Sequence, residues 1–129
     1  MDINNHSAIS FKANVSPFVM CQIQKQLKYC ESKKKCSALV KSQLKNIKNW
    51  GSPNSNIIRT KDVFGRFRLG IECFVRPDLK FSWAIKNLKG RTELSQFIAL
   101  KKSDIEQTEE SIKYLYNKYH EKIFEKYTL

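Results

Sequence analysis

The chain has 129 residues, 41% hydrophobic and 12% aromatic, with a formal net charge of +12 from 24 Lys and Arg against 12 Asp and Glu. That is about one domain's length with enough apolar matter for a core, so a chain disordered throughout is excluded, and three prolines and four glycines exclude collagen-like or linker composition. No apolar run approaches the ~20 residues needed to cross a bilayer; the start, MDINNHSAISFKANVSPFVM, lacks the basic and apolar regions of a signal peptide, so a cytoplasmic or nuclear protein with no membrane partner is expected.

Residues 1–7 are expected to be flexible, and residues 8–13 to form a short strand with Ile9 and Phe11 on one face. Ser16-Pro17 then reads as a helix N-cap followed by proline at the first helical position. Val19, Met20, Ile23, Leu27 and Cys30 follow at helical spacing and are expected to face the core, with Gln22, Gln24, Lys25, Gln26 and Lys28 facing water. Residues 31–36 carry no apolar stripe, which leaves either a loop between two helices or a solvated bend in one. Leu39, Val40, Leu44 and Ile47 share a second helical face, and Lys41, Lys45 and Lys48 form a basic ridge beside it. Residues 16–49 are thus helical, and Gly51 to Ser55 close that region with turn-forming residues.

Residues 57–100 read as β-rich. Phe67, Leu69, Ile71, Cys73 and Val75 alternate with Arg68, Gly70, Glu72 and Phe74. Phe81, Trp83 and Ile85 alternate with Ser82, Ala84, Lys86 and Leu88. Pairing Val75 with Phe81 places both apolar sets on one face and leaves a five-residue loop. Gly90 marks a second turn. Residues 93–100, ELSQFIAL, suit either a strand or a short helix, and the preceding meander favours the strand. A long last helix over 103–127 is expected, with Ser103 and Glu106 as a capping box. Ile105, Thr108, Ile112, Leu115, Tyr116, Tyr119, Ile123 and Phe124 make its stripe, acids come early and lysines late. The fold class is therefore α+β: one domain, residues 1–129, with an antiparallel β-meander and helices packed against one face.

The motifs of nucleotide-binding loops, zinc proteases and serine hydrolases are absent. Cys21, Cys30 and Cys36 are separated by eight and five residues, which is poor metal spacing, and nothing suggests secretion, so free thiols are expected, with Cys73 among them. No metal or cofactor is expected, and no catalytic residue is assigned. His6 and His120 are expected to be exposed or structural, which disfavours two-histidine acid–base chemistry.

The charge is uneven: net +8 over residues 1–60, +6 over 61–102 and −2 over 103–129. Arg59, Lys61, Arg66, Arg68, Lys80, Lys86, Lys89 and Arg91 cluster around the meander, with Phe64 and Phe74 interleaved. Arginines hold phosphates in a fork and flat rings stack on bases, so a nucleic-acid-binding face is expected on the non-core side of the meander, centred on Arg66, Arg68, Lys86 and Arg91. Lys41, Lys45 and Lys48 form the second candidate surface. The order of short strand, helical region, basic meander and terminal helix, with FGRFRLGIECFV and the later KGR, resembles the RelE/ParE-like toxins in ordering and charge. That resemblance implies a ribonuclease or a ribosome- or gyrase-targeting toxin, and no catalytic residue is carried over from it. A double-stranded-RNA-binding domain shares the topology, but its loop signatures are absent. The third expectation is a basic module that binds an acidic protein, with the tyrosines of the last helix available for a homodimer seam.

Overall fold

The computed structural model describes residues 14–50 and 55–127, with side chains as far as Tyr119. The elements run β1 (Asn14–Val15), α1 (Pro17–Leu27), α2 (Lys33–Asn49), β2 (Ser55–Lys61), β3 (Phe67–Arg76), β4 (Leu79–Ala84), α3 (Glu93–Ala99) and α4 (Lys102–Tyr127). They form a single α+β domain, four helices packed against a four-stranded sheet in the order β1-β2-β3-β4. The sheet is antiparallel except for β1, which pairs parallel to β2 through Asn14–Asn56 and Val15–Ile57. The expected strand over 8–13 and the loose start lie outside the described residues.

The cap and apolar stripe of α1 hold, but Gln26, expected to face water, is half-buried and binds the Glu93 carboxylate and the Leu94 N–H of α3. Ser16 caps it, its Oγ accepting from the Val19 N–H at 3.2 Å, and Pro17 fills the first turn. Val19 and Ile23 are fully buried, and Met20, Leu27 and Cys30 pack partly against the core. Residues 28–32 are a turn, so the helical region is two helices. On α2, Val40 and Ile47 are buried as expected, but Leu39 is 43% exposed and Gln43 takes a core position. The reason is hydrogen bonding: the Gln43 amide donates to the carbonyls of Phe97, Leu100 and, at 3.4 Å, Ile98, which close the end of α3. Buried polar groups stay buried when paired in this way.

The meander places Ile57, Leu69, Ile71 and Cys73 on the helix-covered face, with Ile85 beyond the end of β4. The hairpin register differs from the expectation. Cys73, not Val75, lies opposite Phe81, and Arg76 lies opposite Leu79, so only Pro77 and Asp78 form the turn. A register shift between Phe74 and Arg76 absorbs the odd residue. A slip of two residues leaves side-chain parity intact, which is why Leu69, Ile71, Cys73 and Ile85 were assigned to the core correctly with the wrong partners; Phe67 and Phe81, expected in the same core, stay 42% and 40% exposed.

Residues 93–99 are a helix rather than a third hairpin strand. Thr92 caps it, accepting from the Ser95 N–H at 3.1 Å, while Ser95 Oγ accepts from the Thr92 N–H at 3.0 Å. Leu94 and Phe97 then face the core together with Gln96. The start of α4 also shifts. Ser103 lies inside the helix, and Asp104 reaches back to accept from the Lys101 N–H at 2.9 Å. The Ser103–Glu106 capping box is therefore not formed; a single bond accepted by the Asp104 side chain, two residues earlier in frame, closes the helix start instead. Ile105, Thr108 and Ile112 are buried, as is Glu109, which accepts a hydrogen bond from the buried Ser55 hydroxyl. Ile123 and Phe124 fall outside the described side chains.

Candidate nucleic-acid interface at one end of the sheet

The last residues of β2, the first of β3 and the connection leaving β4 meet at one end of the sheet. Thr60 pairs with Arg68 and Lys61 with Phe67. Arg68 donates from Nη2 to the Leu88 carbonyl at 2.7 Å, and the Gln96 amide bridges the Phe67 and Gly90 carbonyls at 3.3 and 3.5 Å. This brings Arg59, Lys61, Arg66, Arg68, Lys89 and Arg91 to the same end.

Two carboxylates stand among these cations. Glu93 accepts from Arg59 Nε at 2.6 Å and from the Gln26 amide. Burial pushes the Glu93 carboxyl up, but its own backbone N–H, Gln26 and Arg59 outweigh that and hold it below the ordinary carboxylate range. Asp62 organises the loop between β2 and β3. Its carboxylate accepts from the N–H groups of Phe64 and Arg66 at 2.9 and 3.0 Å and from Arg66 Nε at 3.1 Å. Desolvation raises Asp62, and the backbone N–H groups and the Arg66 charge more than offset it, so its proton affinity is also lowered. Arg59 and Arg66 are thus compensated. Arg68 is held by a carbonyl, which positions its guanidinium without cancelling its charge.

Aromatic rings share this end. The Arg59 guanidinium lies 3.3 Å from the Phe67 ring centroid and 5.5 Å from that of Phe18, and Lys61 Nζ lies 5.1 Å from Phe67. Arg66 sits 5.2 Å from the Phe64 ring. Phe64 is 77% exposed at the loop tip, beside Val63 at 93%. Phe18 and Phe67, expected in neither case as surface rings, are about half exposed.

The expected centre on the non-core sheet face is redistributed. Only Arg68 occupies that face. Arg66 belongs to the loop, and Arg91 and Lys89 to the connection into α3. Lys86 follows the strand parity of Ser82 and Ala84, but the chain turns at Lys86-Asn87, where Asn87 has φ 62°. The ammonium of Lys86 consequently lies 5.5 Å from the Trp83 ring, on the helix-covered side. Lys80 is at the opposite end of the sheet, 3.4 Å from Glu72 and 5.9 Å from the Phe74 ring. Lys41, Lys45 and Lys48 line the exposed side of α2, apart from this cluster. Phe67 was missed because an aromatic in an alternating strand reads as core when the shielding neighbours are unknown, and Phe18 received no assignment because it lies outside the apolar stripe of α1.

Cys21 is exposed, Cys30 and Cys36 are half-buried and Cys73 is buried, all as free thiols. Among the described residues no three His, Cys, Asp or Glu side chains gather to hold a metal ion, and no helix is long and apolar enough to cross a membrane. Comparison with protein-family models, with curated proteins and with solved structures gives no match.

Proposed function

We propose that this chain binds a single strand of nucleic acid at the end of the sheet where β2, β3 and the 86–92 connection meet. The observation that carries the reading is the local imbalance: six cations against Asp62 and Glu93, with exposed phenylalanine rings among them. Among the described residues Lys61, Arg68, Lys89 and Arg91 form no ion pair with a carboxylate, and a polyanion relieves their mutual repulsion. Phe64, on a loop tied down by Asp62, presents a ring at low ordering cost, and an unpaired base can stack on it. A duplex hides its base faces, so the rings favour a single strand. The reading is one of binding, without a catalytic step.

The test is fluorescence anisotropy with a labelled oligonucleotide at several salt concentrations. Changing Lys61, Arg68 and Arg91 to Gln is expected to weaken binding tenfold or more at low salt and to flatten the log–log salt slope by about 2, at ~0.7 per phosphate contact for a single strand. Changing Lys41, Lys45 and Lys48 to Gln is expected to weaken it only slightly. Phe64→Ala is expected to cost about 1–3 kcal/mol for a single strand and nearly nothing for a duplex. Absence of binding at low salt, or greater damage from the α2 triple, would overturn the proposal.

A further inference from the structure

Arg59 follows Ser55 and Ile57 on the helix-covered face of β2, at the end of the sheet that α1 and α3 border. Its Nε donates to Glu93 Oε1 at 2.6 Å, and the Gln26 amide fixes Glu93 in turn. The side chains of the pair are only 19% and 8% exposed. The guanidinium carbon lies 3.3 Å from the Phe67 ring centroid. At that separation only a near-parallel stack keeps the guanidinium nitrogens from clashing with the ring, so the plane of the group is set as well as its place.

Only Nε is used. Among the described residues Arg59 makes no second hydrogen bond, and no buried side-chain nitrogen or oxygen there lacks a partner. Its two Nη groups therefore reach solvent, as a fork of donors held in a fixed plane.

A free arginine fork commonly takes a phosphate. Here Glu93 already cancels the charge, and a phosphate on the far side of the guanidinium would stand close to a buried carboxylate. Lys61, Arg68 and Arg91 form no ion pair among the described residues and are the better phosphate sites. What the paired arginine keeps is direction, which suits an uncharged ligand with two adjacent acceptors. Guanine offers O6 and N7 side by side, whereas adenine sets a donor beside N7 and thymine has a single acceptor on that edge. Cytosine also carries adjacent acceptors, O2 and N3, but has a smaller face to set against an aromatic ring. Rings are at hand: Phe18 and Phe67, both in contact with Arg59, are 55% and 42% exposed. Given the single-strand binding proposed above, we infer that Arg59, oriented by Glu93, reads a guanine base of the bound strand through O6 and N7.

The test uses the full chain and fluorescein-labelled all-thymine oligonucleotides with one central base replaced, read by anisotropy at one low salt concentration. Guanine is expected to tighten binding at least about fivefold over thymine, the lower end for a two-acceptor contact. Hypoxanthine keeps O6 and N7 without the amino group and is expected to match guanine. 7-Deazaguanine lacks N7 and is expected to lose most of the gain, which tests the contact in the unmodified protein. Arg59→Lys keeps the charge and removes the fork, and is expected to bring the guanine and thymine strands within about twofold of each other. Glu93→Gln is expected to narrow the same ratio while tightening the all-thymine strand, because the Arg59 charge is freed for phosphate; a purely structural Glu93 would weaken both strands alike. Equal binding of guanine with thymine, adenine, cytosine or 7-deazaguanine, or a ratio unchanged in Arg59→Lys, overturns the assignment and leaves the single-strand reading standing. No binding of any strand overturns both.

Discussion

Glu93 is the residue on which the basic end turns. It is nearly buried, and its partners Arg59 and Gln26 reach it from β2 and α1. Its proton affinity is lower in the folded chain than unfolded. The unfolded state therefore binds more protons near the ordinary carboxylate range, and the stability Glu93 contributes is present above that range and lost as pH falls through its folded value. Glu93→Gln is expected to cost about 1.5–3 kcal/mol at neutral pH, the range for a hydrogen bond to a charged group. Its stability should also fall less than that of the unmodified chain between pH 6 and about pH 3; urea midpoints at both pH values measure this. A second residue-level test is Gly65, which closes the Asp62 loop at φ +77° with nothing within 4 Å of a Cβ built there. Gly65→Ala should therefore cost about 1–2 kcal/mol from backbone conformation alone, measured as a urea midpoint shift at unchanged m value.

At the scale of elements, α3 is held by amides. Gln43 binds the carbonyls at its end, and Gln96 accepts from the Leu69 N–H at 2.8 Å, tying it to β3. Gln43→Met keeps the volume and removes the donors, so a loss of about 1–3 kcal/mol is expected from the carbonyls left unpaired, read from chemical denaturation. These contacts also explain what sequence could and could not reveal. α1, β3 and most of α4 were legible because each repeats one period over several turns or pairs, with caps such as Ser16 at the right place. ELSQFIAL was not, since its apolar residues fit both periods, and the deciding signal was a Thr92–Ser95 cap that short polar residues also make in loops. The cations of the site were legible as charges and their grouping was not. Arg66, Lys86 and Arg91 sit in turns, where strand parity no longer governs direction, and the Arg59–Glu93 pairing spans elements far apart in the chain.

For the whole molecule, the net charge of +12 makes salt act in opposite directions on two observables. Screening lowers self-repulsion in the compact state and also weakens any hold on a polyanion. Raising ionic strength from about 10 to 150 mM, where the Debye length falls to ~8 Å, is expected to raise the thermal midpoint by about 2–4 °C, equivalent to roughly 0.5–1 kcal/mol. Oligonucleotide affinity should drop over the same interval. Differential scanning calorimetry and anisotropy on one preparation would show both trends; a midpoint that falls with salt would mean that attractive pairs such as Arg59–Glu93 dominate the electrostatics.

The parallel pairing of β1 with β2 has a kinetic consequence. Parallel neighbours need a crossover, and here α1 and α2 both lie between Asn14 and its partner Asn56. The β2–β3–β4 meander is built from contacts close in sequence, whereas β1 gains its partner only by closing a long loop, and such contacts form late. During synthesis the first strand leaves the ribosome well before the strand that receives it. Mutations in the meander are thus expected to slow refolding, and those at Val15 to speed unfolding.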